Sequence, residues 1–155
     1  MTTWQQIIIL IYGVLGLVGS FRSYRECKKK GNAYGLTPQY YIYGAFVYGD
    51  MVVFGIFWLL VGMVTFVLQD WLLFLLTQSL FWLVRSVGET IYWFNEQFST
   101  KNRNHPASLP GFHIFKDDSI WYVYQIVAQL ITVITLITSV ILIPLWLKSL
   151  GILDS

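Results

Sequence analysis

Gln78-Ser79-Leu80-Phe81-Trp82-Leu83-Val84-Arg85-Ser86-Val87-Gly88-Glu89-Thr90-Ile91-Tyr92-Trp93-Phe94-Asn95-Glu96 is the stretch whose reading decides the fold. It lies inside a longer apolar block, Trp71 to Phe98, whose length and composition read as a membrane-spanning helix. Yet it carries a guanidinium and carboxylates. An ionisable side chain at the bilayer centre costs at least ~2.5–3.5 kcal/mol on insertion scales, so it is rare there unless paired or used. At 100° per residue Gln78, Arg85, Glu89, Tyr92 and Glu96 fall within about a 60° arc. They form one polar stripe, and Arg85 and Glu89, four residues apart, can touch along the helix.

The blocks on either side repeat the apolar pattern. The chain has 155 residues, 56% hydrophobic and only 12% charged, about half the charged fraction of a soluble domain. Spans are expected at about 4–21, 41–68, 71–98 and 120–147. The fold class is therefore an all-α membrane protein, a single integral membrane domain over 1–155 with four transmembrane helices in an antiparallel bundle. The Gln69-Asp70 break is too short to join anything but antiparallel neighbours.

Charge gives the orientation. Arg22, Arg25, Lys28, Lys29 and Lys30 follow the first span, and Lys101, Arg103 and Lys116 follow the third. The N-terminus and the Gln69-Asp70 break hold none. Excess Lys and Arg mark cytoplasmic loops, so loops 22–40 and 99–119 are expected inside and both termini outside. The first basic run also suits anionic lipid, although a topology signal accounts for it more simply. The membrane expected is the plasma or inner membrane.

Small residues set the packing faces. Gly13, Gly16 and Ser20 share a face of the first span, and Gly44, Gly55 and Gly62 share one of the second. Glycine faces let helices approach closely, which suggests a homo-oligomer or docking to a larger membrane-protein partner. A second face of that span holds Asp50 with Tyr43, Phe54 and Phe57.

Depth links three spans. At 1.5 Å per residue Asp50 is expected roughly 13 Å from the cytoplasmic end of its span, Glu89 roughly 13 Å and Gln129 roughly 15 Å. Arg85 would then sit between Asp50 and Glu89, with Gln125 or Gln129 completing its hydrogen bonds. On the fourth span Gln125, Gln129, Thr132 and Ser139 share about an 80° arc. Asp117, Asp118 and Ser119 are expected to cap that helix, and Pro144 to kink or end it.

Other chemistries find little to work with. Cys27 is the one cysteine, so no internal disulfide forms; S-palmitoylation beside a span end is one reading, a plain free thiol the simpler one. No histidine lies in a span to ligate haem, and no mid-span lysine can form a Schiff base. GxSxG, HExxH and phosphate-loop patterns are absent. His105, His113, Asp117 and Asp118 match no closed zinc or calcium spacing. No cofactor, metal, catalytic residue or nucleic-acid partner is expected. In size the chain resembles the small four-helix multidrug exporters and the four-helix glutathione-transferase-like membrane enzymes. The first carry their essential carboxylate in the first helix, where Trp4–Phe21 has none, and the Arg/Asn/Glu signature of the second does not align with Arg85 and Glu89. The expected function is a proton-, ion- or small-solute-translocating protein or subunit. A non-catalytic accessory or scaffold subunit is the alternative, and a membrane enzyme acting on a lipid is a third reading.

Overall fold

The computed structural model describes residues 1–100 and 103–153; Lys101 of the second basic segment lies outside them. The described residues are helical, with no β-strand beyond one isolated bridge between Leu36 and Val47. The long helices are α1 (Thr3–Lys30), α2 (Tyr48–Val67), α3 (Trp71–Phe98) and α4 (Ser119–Ser149), and short 3-10 turns occur at Pro38–Tyr43 and Pro106–Ser108. All four long helices are long and apolar enough to cross a membrane, which suggests an integral membrane protein. The chain divides into two compact units, Met1–Thr77 and Gln78–Ser155.

In the first unit α1 and α2 pack through their small residues. Gly13, Gly16, Gly19 and Ser20 are buried on α1, and Gly55 and Gly62 on α2. Gly16 lies against Gly55, Gly13 against Leu59 and Ile9 against Gly62. The Ser20 hydroxyl donates to the Val52 carbonyl at 2.8 Å, and Gln6 Nε2 donates to Gln69 Oε1 at 2.5 Å. Rising numbers on α1 thus meet falling numbers on α2, and the two helices run in opposite directions. The first turns of α3 join them, with Trp4 on Trp71 and Tyr12 on Phe74.

α1 is longer than its apolar block. It continues helically through Arg22–Lys30, where a loop was expected. Arg, Lys and Glu are good helix formers, Glu26 and Lys30 pair at 3.6 Å, and three lysines occupy the last turn, where the helix dipole favours cations. Gly31, at φ 65°, supplies the left-handed residue that ends it.

α2 is shorter than expected. It starts at Tyr48, not at about residue 41. The preceding chain folds back along the helix pair as a re-entrant segment. Gly49 N donates to Ala33 O, Tyr48 N to Gly35 O and Thr37 N to Phe46 O, each at 3.0 Å. Between these bonds the 3-10 turn reaches the level of Tyr12, about a third of the way along α1, and of Trp58, midway along α2. The Tyr12 hydroxyl donates to Ile42 O at 2.8 Å, and the Tyr43 hydroxyl donates to Tyr12 O at 3.1 Å. Trp58 Nε1 donates to Tyr43 O at 3.2 Å, and Thr37 Oγ1 to Ala45 O at 3.1 Å. Irregular backbone in an apolar setting needs such partners, because unpaired N–H and C=O groups there cost several kcal/mol each by the ~2–7 kcal/mol transfer scale. Gly44, expected on a packing face of α2, instead closes this turn at φ 70°.

α3, whose first turns belong to the first unit and the rest to the second, spans the expected 71–98. α4 is longer by a residue or two at each end, and it runs through Pro144 to Ser149, so the proline does not end it. The caps expected from Asp117, Asp118 and Ser119 do not form. Asp118 occupies the N-cap position without a side-chain bond, and the Ser119 hydroxyl donates backwards to Lys116 O at 2.5 Å.

Candidate functional site

The polar stripe of α3 is the first candidate. Arg85 Nη2 stands 2.9 Å from Glu89 Oε1, and the two side chains remain 20% and 14% exposed. The other Glu89 oxygen accepts from Trp93 Nε1 at 3.1 Å. Three residues spaced four apart are therefore linked along one helix. Trp93 is buried among Leu109, Ile120 and Trp121, with Tyr92, Phe112 and Tyr124 packed against that cluster. The charged pair is thereby tied through Trp93 to the start of α4.

Glu96, one turn further, has a different task. Only 5% exposed, its carboxylate accepts from the backbone N–H groups of Arg103 at 3.1 Å and Asn104 at 3.0 Å. The Asn104 side-chain amide donates to the Tyr92 hydroxyl, and the Asn104 carbonyl accepts from Trp121 Nε1 at 3.0 Å. A buried carboxylate holding two backbone donors organises a loop, since each such charge-assisted bond is roughly twice as strong as a neutral one. Sequence reasoning put Glu96 on the stripe and missed this role. The only available signal was its place in the last turn before a polar loop.

Uncharged groups join α3 to α4. The Ser79 and Ser139 hydroxyls are 2.9 Å apart, and Ser79 also donates to Thr135 O at 2.9 Å. Thr132 Oγ1 donates to Ser86 Oγ at 2.9 Å, and Gln97 Nε2 to Gln125 Oε1 at 2.6 Å. These contacts again pair rising with falling numbers. Gln125 thus bonds Gln97, where a bond to Arg85 was expected. Gln129 is exposed and makes no hydrogen bond among the described residues, so the wall expected from it is not formed. Gln78 is half-buried at the boundary between the units.

Asp50 belongs to the first unit, and Arg85 and Glu89 belong to the second. Because α2 starts at Tyr48, Asp50 is its third residue, not one nine residues deep. The nine-residue depth expected for it within its helix therefore does not hold. Its Oδ2 accepts from Phe46 N at 3.1 Å and Val47 N at 3.3 Å. The carboxylate satisfies donors at the junction of the re-entrant segment with α2, where an acid also favours the helix dipole. Asp70 does similar work for α3, accepting from Leu73 N at 2.9 Å.

In the long loop His105 Nδ1 accepts from Ala107 N at 3.3 Å, and no group of three metal-ligating side chains occurs among the described residues. No family model, curated protein or solved structure matches this chain.

Proposed function

We propose that the chain is a four-spanning membrane protein that moves a proton, ion or small solute past the Arg85–Glu89 pair. It acts as a homo-oligomer or as a subunit of a larger complex in the plasma or inner membrane. The four helices form an antiparallel bundle with both termini outside. The alternation of basic residues supports that orientation.

The carrying observation is the place of the pair. Arg85 is fourteen residues from Trp71 and thirteen from Phe98, so roughly 20 Å of helix extends to either side. A charged pair so placed sits near the bilayer centre, where ionisable groups mark pathways by default. Helix stability alone explains it poorly, because an acid N-terminal to its base is the better order and this pair has the reverse. The described hydrogen bonds between α3 and α4 run through serine, threonine and glutamine.

Reconstitution tests this reading. The parent, Glu89→Gln and Arg85→Gln are placed in liposomes with an entrapped pH dye and an imposed potential, with sodium or potassium as counter-cation. The expected result is flux in the parent and a loss of at least about tenfold in Glu89→Gln, the weight of one lost charge interaction, at unchanged folded yield. A parent silent for protons and both cations overturns the proton and cation readings, and unchanged flux in both Glu89→Gln and Arg85→Gln overturns the assignment of the path to this pair.

A second reading, a non-catalytic accessory subunit, is favoured by Asp50 and Glu96, which hold a helix start and a loop. Its mark is a fixed partner that copurifies with well-folded Glu89→Gln protein.

A further inference from the structure

α1 leaves many apolar side chains uncovered, and one stripe of them lines a groove. Ile8, Ile11, Leu15 and Val18 recur at three- and four-residue steps on one helix face, each 42–54% exposed. Arg22 continues the same stripe one turn later. The re-entrant segment forms the opposite wall with Gln39, Tyr40 and Ile42, and together they bound a groove of about 420 Å³. That size is in the ~300–1,000 Å³ range of small-molecule sites.

We propose that this groove holds one acyl chain of an anionic phospholipid, with the head-group phosphate at Arg22. The inference rests on membrane embedding alone and not on the transport reading. Length supports it first. Ile8 to Val18 spans ten residues, roughly 15 Å, which is half of a ~30 Å hydrocarbon core and so one leaflet. Arg22 lies roughly 6 Å further, at head-group level.

Charge supports it second. Arg22 has no ion pair or hydrogen bond among the described residues, and guanidinium binds phosphate in bidentate fashion. Gln39 adds a second polar side chain to the groove lining. A second copy of the chain fits less well. Of the acids in the long helices, Glu26, Asp50, Glu89 and Glu96 are already bound. A docking helix of this protein would therefore bring no spare carboxylate to Arg22.

The backbone supports it third. Ile42, at the tip of the re-entrant segment, is 63% exposed, and its carbonyl already accepts from Tyr12. The tip thus presents an apolar side chain with its carbonyl satisfied, which suits a hydrocarbon neighbour rather than water.

The test uses the full chain in phosphatidylcholine nanodiscs containing a minority of phosphatidylglycerol with a photoactivatable acyl terminus. Mass spectrometry locates the label after illumination. The expected label falls on the Ile8–Val18 face and Ile42. Arg22→Gln lowers it about fivefold, the weight of one basic residue at a membrane surface. Arg22→Lys retains most of it, and Lys28→Gln, on another face of α1, leaves it unchanged. Circular dichroism and gel filtration confirm that each variant folds.

Equal labelling by a photoactivatable phosphatidylcholine would mean bulk lipid only and would overturn the proposal. So would labelling unchanged in Arg22→Gln. Abolition by excess soluble glycerophosphate would show a simple anion site and would overturn the acyl-chain groove; no competition is expected.

Discussion

Gly16 and Gly55 meet backbone to backbone. A Cβ built on Gly55 would stand 2.3 Å from the Gly16 carbonyl oxygen and 2.8 Å from Ser20 Cβ. Neither neighbour is the free end of a flexible side chain, so the helices themselves would have to part. Gly55→Ala is expected to cost about 1–3 kcal/mol of unfolding free energy, as overpacked sites do, and Gly55→Val more. Gly88, on an exposed part of α3, has nothing within 4 Å of such a Cβ. Gly88→Ala is expected to be neutral or to stabilise by about 0.5–1 kcal/mol, the usual helix-interior gain. Urea or SDS titration in mixed micelles measures both.

The re-entrant segment hangs on a few donors. Trp58→Phe keeps an aromatic ring at this fully buried position but removes the second ring of the indole and the Nε1–H that reaches Tyr43 O. A carbonyl left unsatisfied costs about 1–3 kcal/mol. The expected outcome is local release of residues 38–46 with α1 and α2 still paired. In a Cys27→Ser, Ile42→Cys background, maleimide labelling in detergent should accelerate in Trp58→Phe and stay unchanged in Phe57→Leu. Equal rates would mean that this bond does not hold the tip.

Asp50 makes a second hold at the other end of the same segment. Asp50→Ala removes both bonds to Phe46 N and Val47 N and is expected to cost about 0.5–2 kcal/mol, in the range of lost helix caps. Asp50→Asn keeps one acceptor oxygen and should recover part of that. Protection of the Val47 amide in hydrogen exchange reports it directly.

Ser79 and Ser139 offer a clean double-mutant cycle. Interhelical hydrogen bonds in membrane proteins couple by about 0.6 kcal/mol on average. Ser79→Ala, Ser139→Ala and the double variant should show coupling of that size. A coupling indistinguishable from zero would mean that the Ser79–Ser139 contact does nothing to hold α3 against α4.

Much of this fold could be read from residues. α3 was bounded correctly because Asp70 precedes it and a polar loop follows it, and both signals are local. The start of α2 was misread for an equally local reason. Tyr40–Phe46 carries no charged residue, so the uncharged run into α2 shows no break. The marks of the true boundary were there in Thr37-Pro38, in Gly44 where a left-handed residue is needed, and in an acid at the third position of the helix that follows. Each is weak alone, and the uncharged run overrode them. That error carried Asp50 to a depth it does not have. The Arg85–Glu89 contact was legible because it depends only on helical spacing. The role of Glu96 was not, since it depends on where Arg103 and Asn104 return in space.

The return of residues 31–47 between two helices also constrains biogenesis. This segment cannot complete its bonding alone, because its polar backbone takes partners from Tyr12, Trp58 and Asp50, on helices before and after it, as well as from itself. Its docking must follow the pairing of α1 with α2, and Trp58 is synthesised after the segment itself. The first unit is then completed by the docking of this loop once α2 has been made, not by the insertion of another helix.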